Sequence, residues 1–576
     1  MKMYLAVTGI LCSMICASAA HAAESVKLVG HWWLQGDCKD YSGLGNNGIN
    51  HGVDFTDCEF GKFNGSGAYI EVPDSKPLRL GGGDFSISAW IKCAPNAGVV
   101  GDIINKYDDE KRKGINLHIT SSAPGYSSTS DTRNVLFGID DAADGVWKDC
   151  GRPREDNSLV STLIVYKNHL YAGIADAVDP LGAGHMFRYE DDGKWTDCGR
   201  VSKDLNTPSI MSAVIHNGAL YVGTGKWDYG NLATSGEAGV YRYMGGKNWK
   251  DCGSFTKGKR IISLASFKGD LYATDDTGAT NKYNGDDTWT YTGSSSSYKF
   301  LSTMVYRNSL YGGASTTVER FDGKDAWNQV GGFDGIGINQ IHTFCVYEGN
   351  LYAGTWPDGS IMRYDADGKW TDCGWLGSPE RTDIGMKDPS HVNEINDLTV
   401  YNGKMYAGVI PKGEVWRYDG EQKATMVKRL VNNPDYKVGV HDSWCRIPCM
   451  AIYKGRLFAG TSSARGFAIA DQKIDTGKVF SWETGKCVTI DDDIGSEWRH
   501  LTAIREGDHL KLYLDGKLAS TSSAMGKNLD LSNDKPLLIG FGAANYFSGN
   551  IKDVRLYSGV LNDAEITKLS QIGRSK

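Results

Sequence analysis

Apolar and polar residues alternate around short turns containing Gly or Asn at seven related places in this chain. At each place an apolar run leads into the turn and then into a second run close to Leu-Tyr-Ala-Gly, as in VYEGNLYAGT at residues 346–355. This pattern predicts a β-hairpin. Seven copies of one hairpin, spaced roughly forty to fifty residues apart, predict a seven-bladed β-propeller. The hairpins occupy residues 165–174, 214–224, 266–275, 305–314, 346–355, 400–409 and 452–461.

A Trp followed four residues later by Gly marks the predicted outer strand of most blades. The seventh hairpin has no such strand after it, but the string WKDCG at residues 147–151 precedes the first hairpin. We expect residues 147–151 to complete blade seven, which would close the ring and remove an exposed edge. Closure would also bring the two ends of the propeller together, as an inserted domain requires. The Trp residues are Trp195, Trp249, Trp289, Trp327 and Trp370.

The segments that flank the propeller predict strands of another kind. Residues 84–93 alternate apolar and polar side chains, and residues 497–520 predict two strands and a turn at Asp515-Gly516. The strings DYSGLGNNG, FSISAWIKC, LYLDGKLAS and LLIGFGAANYFSGNIKDVRLYSGVLNDAEI resemble the LamG-like jelly-roll domain of the concanavalin A-like lectin/glucanase superfamily. The blades themselves are similar to kelch-like repeats.

The resemblance and the repeat together imply an all-β chain, a concanavalin A-like jelly-roll sandwich with an inserted seven-bladed β-propeller. The predicted boundaries are a signal peptide at residues 1–22, the first jelly-roll part at 23–143, the propeller at 144–474 and the second jelly-roll part at 475–576.

The first residues predict export. Lys2 precedes a largely apolar run at residues 4–15, and Ala20-His21-Ala22 fits a signal-peptidase site, so we expect a secreted or periplasmic protein. We predict no transmembrane segment, since no later run reaches eighteen apolar residues. The net charge of −7 without a basic block argues against nucleic acid as a partner.

Thirteen cysteines are present, and two of them lie in the predicted signal peptide. Because export permits disulfides, Cys38 and Cys58, which flank one early hairpin, are the predicted pair. Four others share one position of a repeated W-x-D-C-G string on separate blades, too far apart to bridge. We predict that these four are buried small apolar residues: Cys150, Cys198, Cys252 and Cys373.

A calcium site is one possible role of the loop at residues 40–48. Asp40 and Asn46 offer side-chain oxygens in a tight turn, which is the ligand type that Ca²⁺ takes. The resemblance implies that Asp553 lies near this loop. The alternative is a Gly/Asn turn with Asp40 as a local cap.

The first residues of the inner propeller strands form a polar and charged ring. Arg260 and Arg446 belong to it, His342, His391 and His441 lie close by in sequence, and Asp397 is an acidic member of a second ring of small residues. Acid–base chemistry on a charged polysaccharide is one interpretation. A solvated rim above a sterically constrained ring is the other.

Three tryptophans are candidates for stacking on sugar rings, although a Trp is more often partly buried core. They are Trp227, Trp356 and Trp444. The leading hypothesis is therefore an exported lectin-like protein that binds glycan or polysaccharide. The alternatives are a polysaccharide hydrolase or lyase with its site at the propeller mouth, and an extracellular protein-interaction scaffold.

Overall fold

The structure is a computed structural model, and the chain is nearly all β. It describes residues 26–95, 98–121, 128–175, 183–205, 207, 209–225, 238–253, 258–295, 300–324, 326–333, 335, 337–376, 392, 394–434, 436–437, 444–463 and 474–572. The predicted signal peptide lies outside this part of the chain. No helix among the described residues is long and apolar enough to cross a membrane.

The jelly roll consists of two packed antiparallel sheets. The sheet that holds the first and last strands, here the terminal sheet, contains Lys27–Trp32, Gly61–Asn64, Phe85–Cys93, Arg499–Glu506, His509–Leu514, Lys517–Thr521 and Ser548–Ser558. The second, here the docked sheet, contains Ile49–His51, Tyr69–Val72, Gly101–Asp108, Lys113–Thr120, Asn134–Asp144, Thr484–Ile490 and Leu537–Ile539. Their facing apolar side chains form one core.

Among the described residues, two short helices accompany these sheets. Lys76–Leu78 is a 3₁₀ turn, and Asp563–Leu569 is an α-helix. Asn562 and Glu565 form a capping box at the start of the α-helix, because each side chain accepts the other residue's backbone N–H.

The predicted propeller is present, and each of its seven blades has four strands. Blade one contains Leu159–Tyr166, His169–Ala175, His185–Tyr189 and Trp195–Arg200, and blade two contains Ser209–His216, Ala219–Gly225, Val240–Gly245 and Asn248–Asp251. Blade three contains Ile261–Phe267, Asp270–Asp275, Ala279–Tyr283 and Trp289–Ser294, and blade four contains Ser302–Tyr306, Ser309–Gly313, Thr317–Phe321 and Trp327–Gly332. Blade five contains Gln340–Tyr347, Asn350–Trp356, Ser360–Ala366 and Lys369–Trp375, and blade six contains Glu394–Tyr401, Lys404–Ile410, Glu414–Gly420 and Lys423–Arg429. Blade seven contains Cys445–Tyr453, Arg456–Ser463, Val479–Trp482 and Lys148–Asp149.

Blade seven is completed by the strand that precedes the first hairpin, as the sequence predicts. Lys148–Asp149 pairs antiparallel with Val479–Trp482, and the rings of Trp147 and Trp482 stack at 5.5 Å. The predicted boundary at 474/475 needs a correction, because Val479–Trp482 is the third strand of blade seven. The jelly roll resumes at Thr484, which pairs with Asp144.

Neighbouring blades approach each other closely at the Gly of the repeated Leu-Tyr-Ala-Gly segment. A Cβ at Gly354 would lie 2.7 Å from Ile395 of the next blade, and one at Gly460 would lie 2.8 Å from Val160, across the closure of the ring. These separations leave no room for a side chain. The other such pairs are Gly173–Ile210, Gly223–Ile261, Gly313–Ile341 and Gly408–Ile447.

The W-x-D-C-G repeat joins the blades at their outer edge. Trp195 Nε1 donates to the Cys150 carbonyl at 2.8 Å, and Trp249 Nε1 donates to the Cys198 carbonyl at 2.9 Å. The four cysteines of this repeat are free and buried, as predicted.

The seven hairpin turns of the propeller all lie against the jelly roll. In blade six, the Asn402 side chain bonds Asn116 and the carbonyls of Ile139 and Thr484. In blade seven, Lys454 N donates to Asp491 at 2.9 Å. Further contacts of this kind join Asn168 to Asp491, Asn217 to Asp131, Ser266 and Val305 to Thr129, and Glu348 to Ala543. The repeated hairpin therefore attaches one end of the propeller, here the base, to the docked sheet; the other end is the mouth.

Candidate functional site

Four aromatic rings, here the aromatic floor, lie together at the edge of the docked sheet. They are His51, Tyr69, Phe541 and Tyr546, each of which is partly exposed. His51 stacks on Tyr69 with ring centroids 4.4 Å apart and planes at 6°, and Phe541 stacks on Tyr546 at 4.1 Å and 14°. Tyr69 joins the two pairs, because its ring lies 5.5 Å from Phe541 and 6.1 Å from Tyr546.

Strand alternation and one loop position these rings. Ile70 and Val72 point into the jelly-roll core, so Tyr69 and Glu71 point outward, and His51 is the register partner of Tyr69. Phe541 and Tyr546 belong to a loop that returns on itself, since Phe547 N donates to the Gly540 carbonyl at 2.8 Å.

The propeller forms a wall beside the aromatic floor. A Cβ at Gly349, in the hairpin turn of blade five, would lie 2.3 Å from the Tyr546 ring, so the ring rests on this turn. Asn545, next to Tyr546, lines a groove of about 380 Å³ between the jelly roll and blade four. Asn64, Ser66, Arg307 and Asn308 supply polar groups to the same groove. The floor thus lies in a corner between the two domains.

Polar groups border the rings. His51 Nε2 lies 3.2 Å from Glu71 Oε2, and both side chains are about one-third exposed, at 37% and 34%. Burial raises the pKa of Tyr69, and the nearby Glu71 and Tyr546 add to that effect, so the hydroxyl stays protonated and can donate. Flat apolar faces with hydroxyl, imidazole and carboxylate groups at their margin suit a ligand that has both apolar and hydroxylated surfaces.

No motif in the sequence singles out these four residues. The alternation in AYIEV at residues 68–72 would have placed Tyr69 on an outer face, but a strand pattern does not show which neighbouring loop meets it. Phe541 and Tyr546 lie within one of the strings that carry the jelly-roll resemblance.

Two of the predicted calcium residues, Asp40 and Asp553, contact His31. Asp40 accepts the N–H groups of His31, Ser42 and Asn46, and also the Ser42 hydroxyl, through both carboxylate oxygens. These bonds lower the pKa of Asp40 against the opposing effect of burial, which is the larger single influence. Asp40 therefore caps the turn.

Asp553 contacts an imidazole and a guanidinium. Its carboxylate lies 2.8 Å from His31 Nε2 and 2.7 Å from Arg555 Nε. Within the described residues no group of three His, Cys, Asp or Glu is placed to hold a metal ion. As placed, these oxygens face donors and do not form a cation-binding set, so calcium stays a prediction.

The predicted Cys38–Cys58 disulfide is not formed. Both residues are free thiols: Cys38 Sγ donates to the Gly48 carbonyl at 3.1 Å, and Cys58 is exposed. The Cys38 side chain packs inside its own turn. That two cysteines flank one hairpin in sequence does not determine whether their side chains point toward each other.

Among the predicted propeller residues, His342 lies at the mouth with its Nδ1 3.3 Å from Glu394 Oε1, and the charges of Arg260 and Arg446 act on its imidazole. Asp397 does not join them. It accepts the Met450 N–H at 2.6 Å and lines a cavity of about 110 Å³ at the base with His118 and Asn134 of the jelly roll. Burial raises its pKa well above the ordinary range.

Asp397 shares its role with the small residues at equivalent positions. Ser212 Oγ donates to the Ile261 carbonyl at 2.8 Å, and Cys449 Sγ donates to the Val160 carbonyl at 3.6 Å, in each case reaching the next blade. This ring joins blades. His391, His441 and Trp227 lie outside the described residues.

Two of the predicted tryptophans are described. Trp356 is partly buried at the end of the second strand of blade five, where it pairs with Gln340. Trp444 is buried in a small cluster with Ile410 and Tyr436. A buried ring cannot present a face to a sugar, so Trp444 is core.

Comparison with known families identifies one part of the chain. Residues 442–567 match the concanavalin A-like lectin/glucanases superfamily. The matched range contains Phe541 and Tyr546, and it begins within blade seven. A comparison with curated proteins found no match.

Solved structures of β-propellers are among those similar to this chain. YCF48 bound to D1 peptide shares 12% identity with a TM-score of 0.38, over 59% of this chain and 97% of that one. The WD40 β-propeller domain of Doa1 shares 11% identity with the same TM-score, over 59% and 97%. Likenesses of this size carry no argument about function, and the propeller fold rests on its strand pairing.

Proposed function

We propose that this protein is an exported carbohydrate-binding protein that holds a glycan on the aromatic floor. The observation that carries the proposal is the contact of four partly exposed rings, His51, Tyr69, Phe541 and Tyr546, in the corner between the jelly roll and blade five. The superfamily match over residues 442–567 supports carbohydrate as the ligand class.

The choice of ligand follows from the chemistry of the corner. A sugar ring has an apolar C–H face that can stack on an aromatic ring and a hydroxyl edge that needs hydrogen-bond partners. Glu71 can accept from such hydroxyls, while the Tyr69 hydroxyl can donate to them. Propeller turns contact other parts of the docked sheet, whereas the four rings of the aromatic floor are partly exposed and can be reached by a glycan.

A glycan array followed by calorimetry on the bound glycans tests the proposal. Replacement of one stacking ring in Tyr69→Ala should weaken binding about tenfold, equivalent to about 1.4 kcal/mol. Tyr291→Ala is the matched control, because Tyr291 is 62% exposed on blade three, away from the aromatic floor. Equal affinity of the two variants, or no glycan bound by the native protein, would reject the proposal.

Export and calcium belong to the same proposal and have separate tests. N-terminal sequencing of the exported protein should show cleavage after Ala22. Repetition of the array in EDTA tests calcium: a cation at Asp40 would have to displace the N–H and O–H donors that its carboxylate now accepts. Unchanged binding in EDTA would remove calcium and leave the aromatic floor as the site.

A further inference from the structure

A second group of polar side chains, here the axial cluster, lies at the propeller mouth. It contains Arg260 before the first strand of blade three, Gln340 and His342 of blade five, Glu394 and Asn396 of blade six, and Arg446 of blade seven. Side chains from blades three, five, six and seven can approach one another only near the axis of the ring. The axial cluster is thus the place where the blades meet, away from the aromatic floor.

The centre of the axial cluster is a hydrogen-bonded imidazole. His342 Nε2 lies 2.6 Å from Gln340 Oε1, and His342 Nδ1 lies 3.3 Å from Glu394 Oε1. Asn396 donates to the same Glu394 oxygen. Two amides, an imidazole and a carboxylate therefore offer both donors and acceptors within one small volume.

Two guanidinium groups complete the axial cluster. Burial lowers the pKa of His342; Glu394 opposes this effect, and the charges of Arg446 and Arg260 add to it. Arg260 Nε lies 3.4 Å from Asp276 Oδ2. His342, Glu394, Arg260 and Arg446 are each at most 9% exposed, which makes their electrostatic effects strong.

We propose that the axial cluster binds an acidic sugar, with the sugar carboxylate on Arg446 and Arg260 and its hydroxyls on Gln340, His342 and Asn396. The planar fork of a guanidinium matches a carboxylate better than other cations do. Glu394 limits the charge that the mouth accepts, which favours a singly charged uronate over a dianionic phosphate. The choice of a sugar as the carrier of this carboxylate rests on the proposed function.

Calorimetry on the full chain with oligogalacturonate and oligoglucuronate, against neutral oligosaccharides of the same linkage, tests the inference. Arg446→Gln should weaken acidic binding at least about tenfold. Glu394→Gln should strengthen it a few-fold, because a repelling charge is removed. Arg242→Gln is the matched control, since Arg242 is exposed on the third strand of blade two, and it should leave affinity unchanged.

The two variants are expected to change the affinity for uronate in opposite directions, so each tests the inference separately. If Arg446→Gln fails to fold, Glu394→Gln alone still supports the inference by tighter binding of uronate and overturns it by unchanged or weaker binding. Acidic binding that depends on Tyr69 and not on Arg446 would also overturn it, while the proposed function would stand. If uronate binding is weakened by Arg446→Gln and no glycan affinity is changed by Tyr69→Ala, the axial site is supported and the aromatic floor is rejected. Equal competition by inorganic phosphate would overturn the preference for a carboxylate.

Discussion

The mouth and the base of the propeller use buried acidic residues in opposite ways. Glu394 and Asp397 belong to the same first strand of blade six. Glu394 lies at the mouth, where it contacts the imidazole of His342 from another blade. Asp397, closer to the base, accepts the backbone N–H of Met450 and joins blade six to blade seven. Position along the strand, more than residue type, separates a candidate ligand contact from a structural one.

The largest expected effect concerns the base. Asn402→Gly removes a buried side chain that bonds Asn116 and the carbonyls of Ile139 and Thr484, while glycine keeps the turn because Asn402 has φ +44°. Loss of three buried hydrogen bonds should lower the free energy of unfolding by about 3 kcal/mol. Urea denaturation monitored by tryptophan fluorescence measures it.

Asn308→Gly is the control for this variant. Asn308 occupies the equivalent turn of blade four with φ +60°, and it is exposed. Its replacement should change stability by less than about 1 kcal/mol. Equal losses in the two variants would mean that the turns, and not the contacts of the base, set stability.

The ring position that holds Asp397 in blade six is tested next. In blade seven Cys449 takes this position opposite Gly460, and a Cβ at Gly460 would lie 2.8 Å from both Cys449 Sγ and Val160 Cγ1. Gly460→Ala should therefore lower the free energy of unfolding by about 2 kcal/mol, because the added methyl group overpacks this contact. Gly83→Ala, where the nearest atom would be 3.8 Å away, is the control and should be nearly neutral.

Repeats were more predictable than contacts between domains. The seven hairpins, the closing strand Lys148–Asp149 and the buried cysteines could be predicted because each copy of a repeat supports the assignment of the others. The strand Val479–Trp482 was assigned to the wrong domain because its sequence runs directly into the jelly-roll strand at Thr484. A short strand carries no mark of the sheet that it joins.

The sites depended on distances that sequence does not encode. His51 and Phe541 are far apart in the chain, and their approach is set by the register of the docked sheet and by one loop. His342 and Arg446 were candidates because both lie near the first residues of inner strands. Glu394, which contacts His342, begins the first strand of blade six, and that position in the sequence does not show which side chains it touches.

The pH dependence of stability should also distinguish the base from the mouth. Burial raises the pKa of Asp491 to about 6, while its carboxylate accepts the Lys454 N–H of blade seven. A carboxyl with a raised folded-state pKa contributes stability at low pH, and that contribution is lost as pH rises from about 4 to about 6. The loss should be about 1 to 2 kcal/mol.

Asp491→Asn tests this assignment. The amide keeps an oxygen for the Lys454 N–H but has no proton to lose in this range, so the fall in stability between pH 4 and pH 6 should become smaller by about 1 to 2 kcal/mol. Thermal denaturation across that range measures it. An unchanged pH profile would show that Asp491 is ionised in the fold.

The smallest expected effect is at the outer edge of the ring. Trp195→Phe removes the Nε1 donor to the Cys150 carbonyl, which joins blade one to the strand that closes blade seven. Trp249→Phe removes the equivalent bond to Cys198, between blades that are consecutive in the chain. Each variant should lose about 1 kcal/mol. In a closed ring the two losses should agree within about 0.5 kcal/mol. A much smaller loss for Trp195→Phe would show that the closing strand contributes little to the free energy of unfolding. Blade seven would then be the place where the propeller opens.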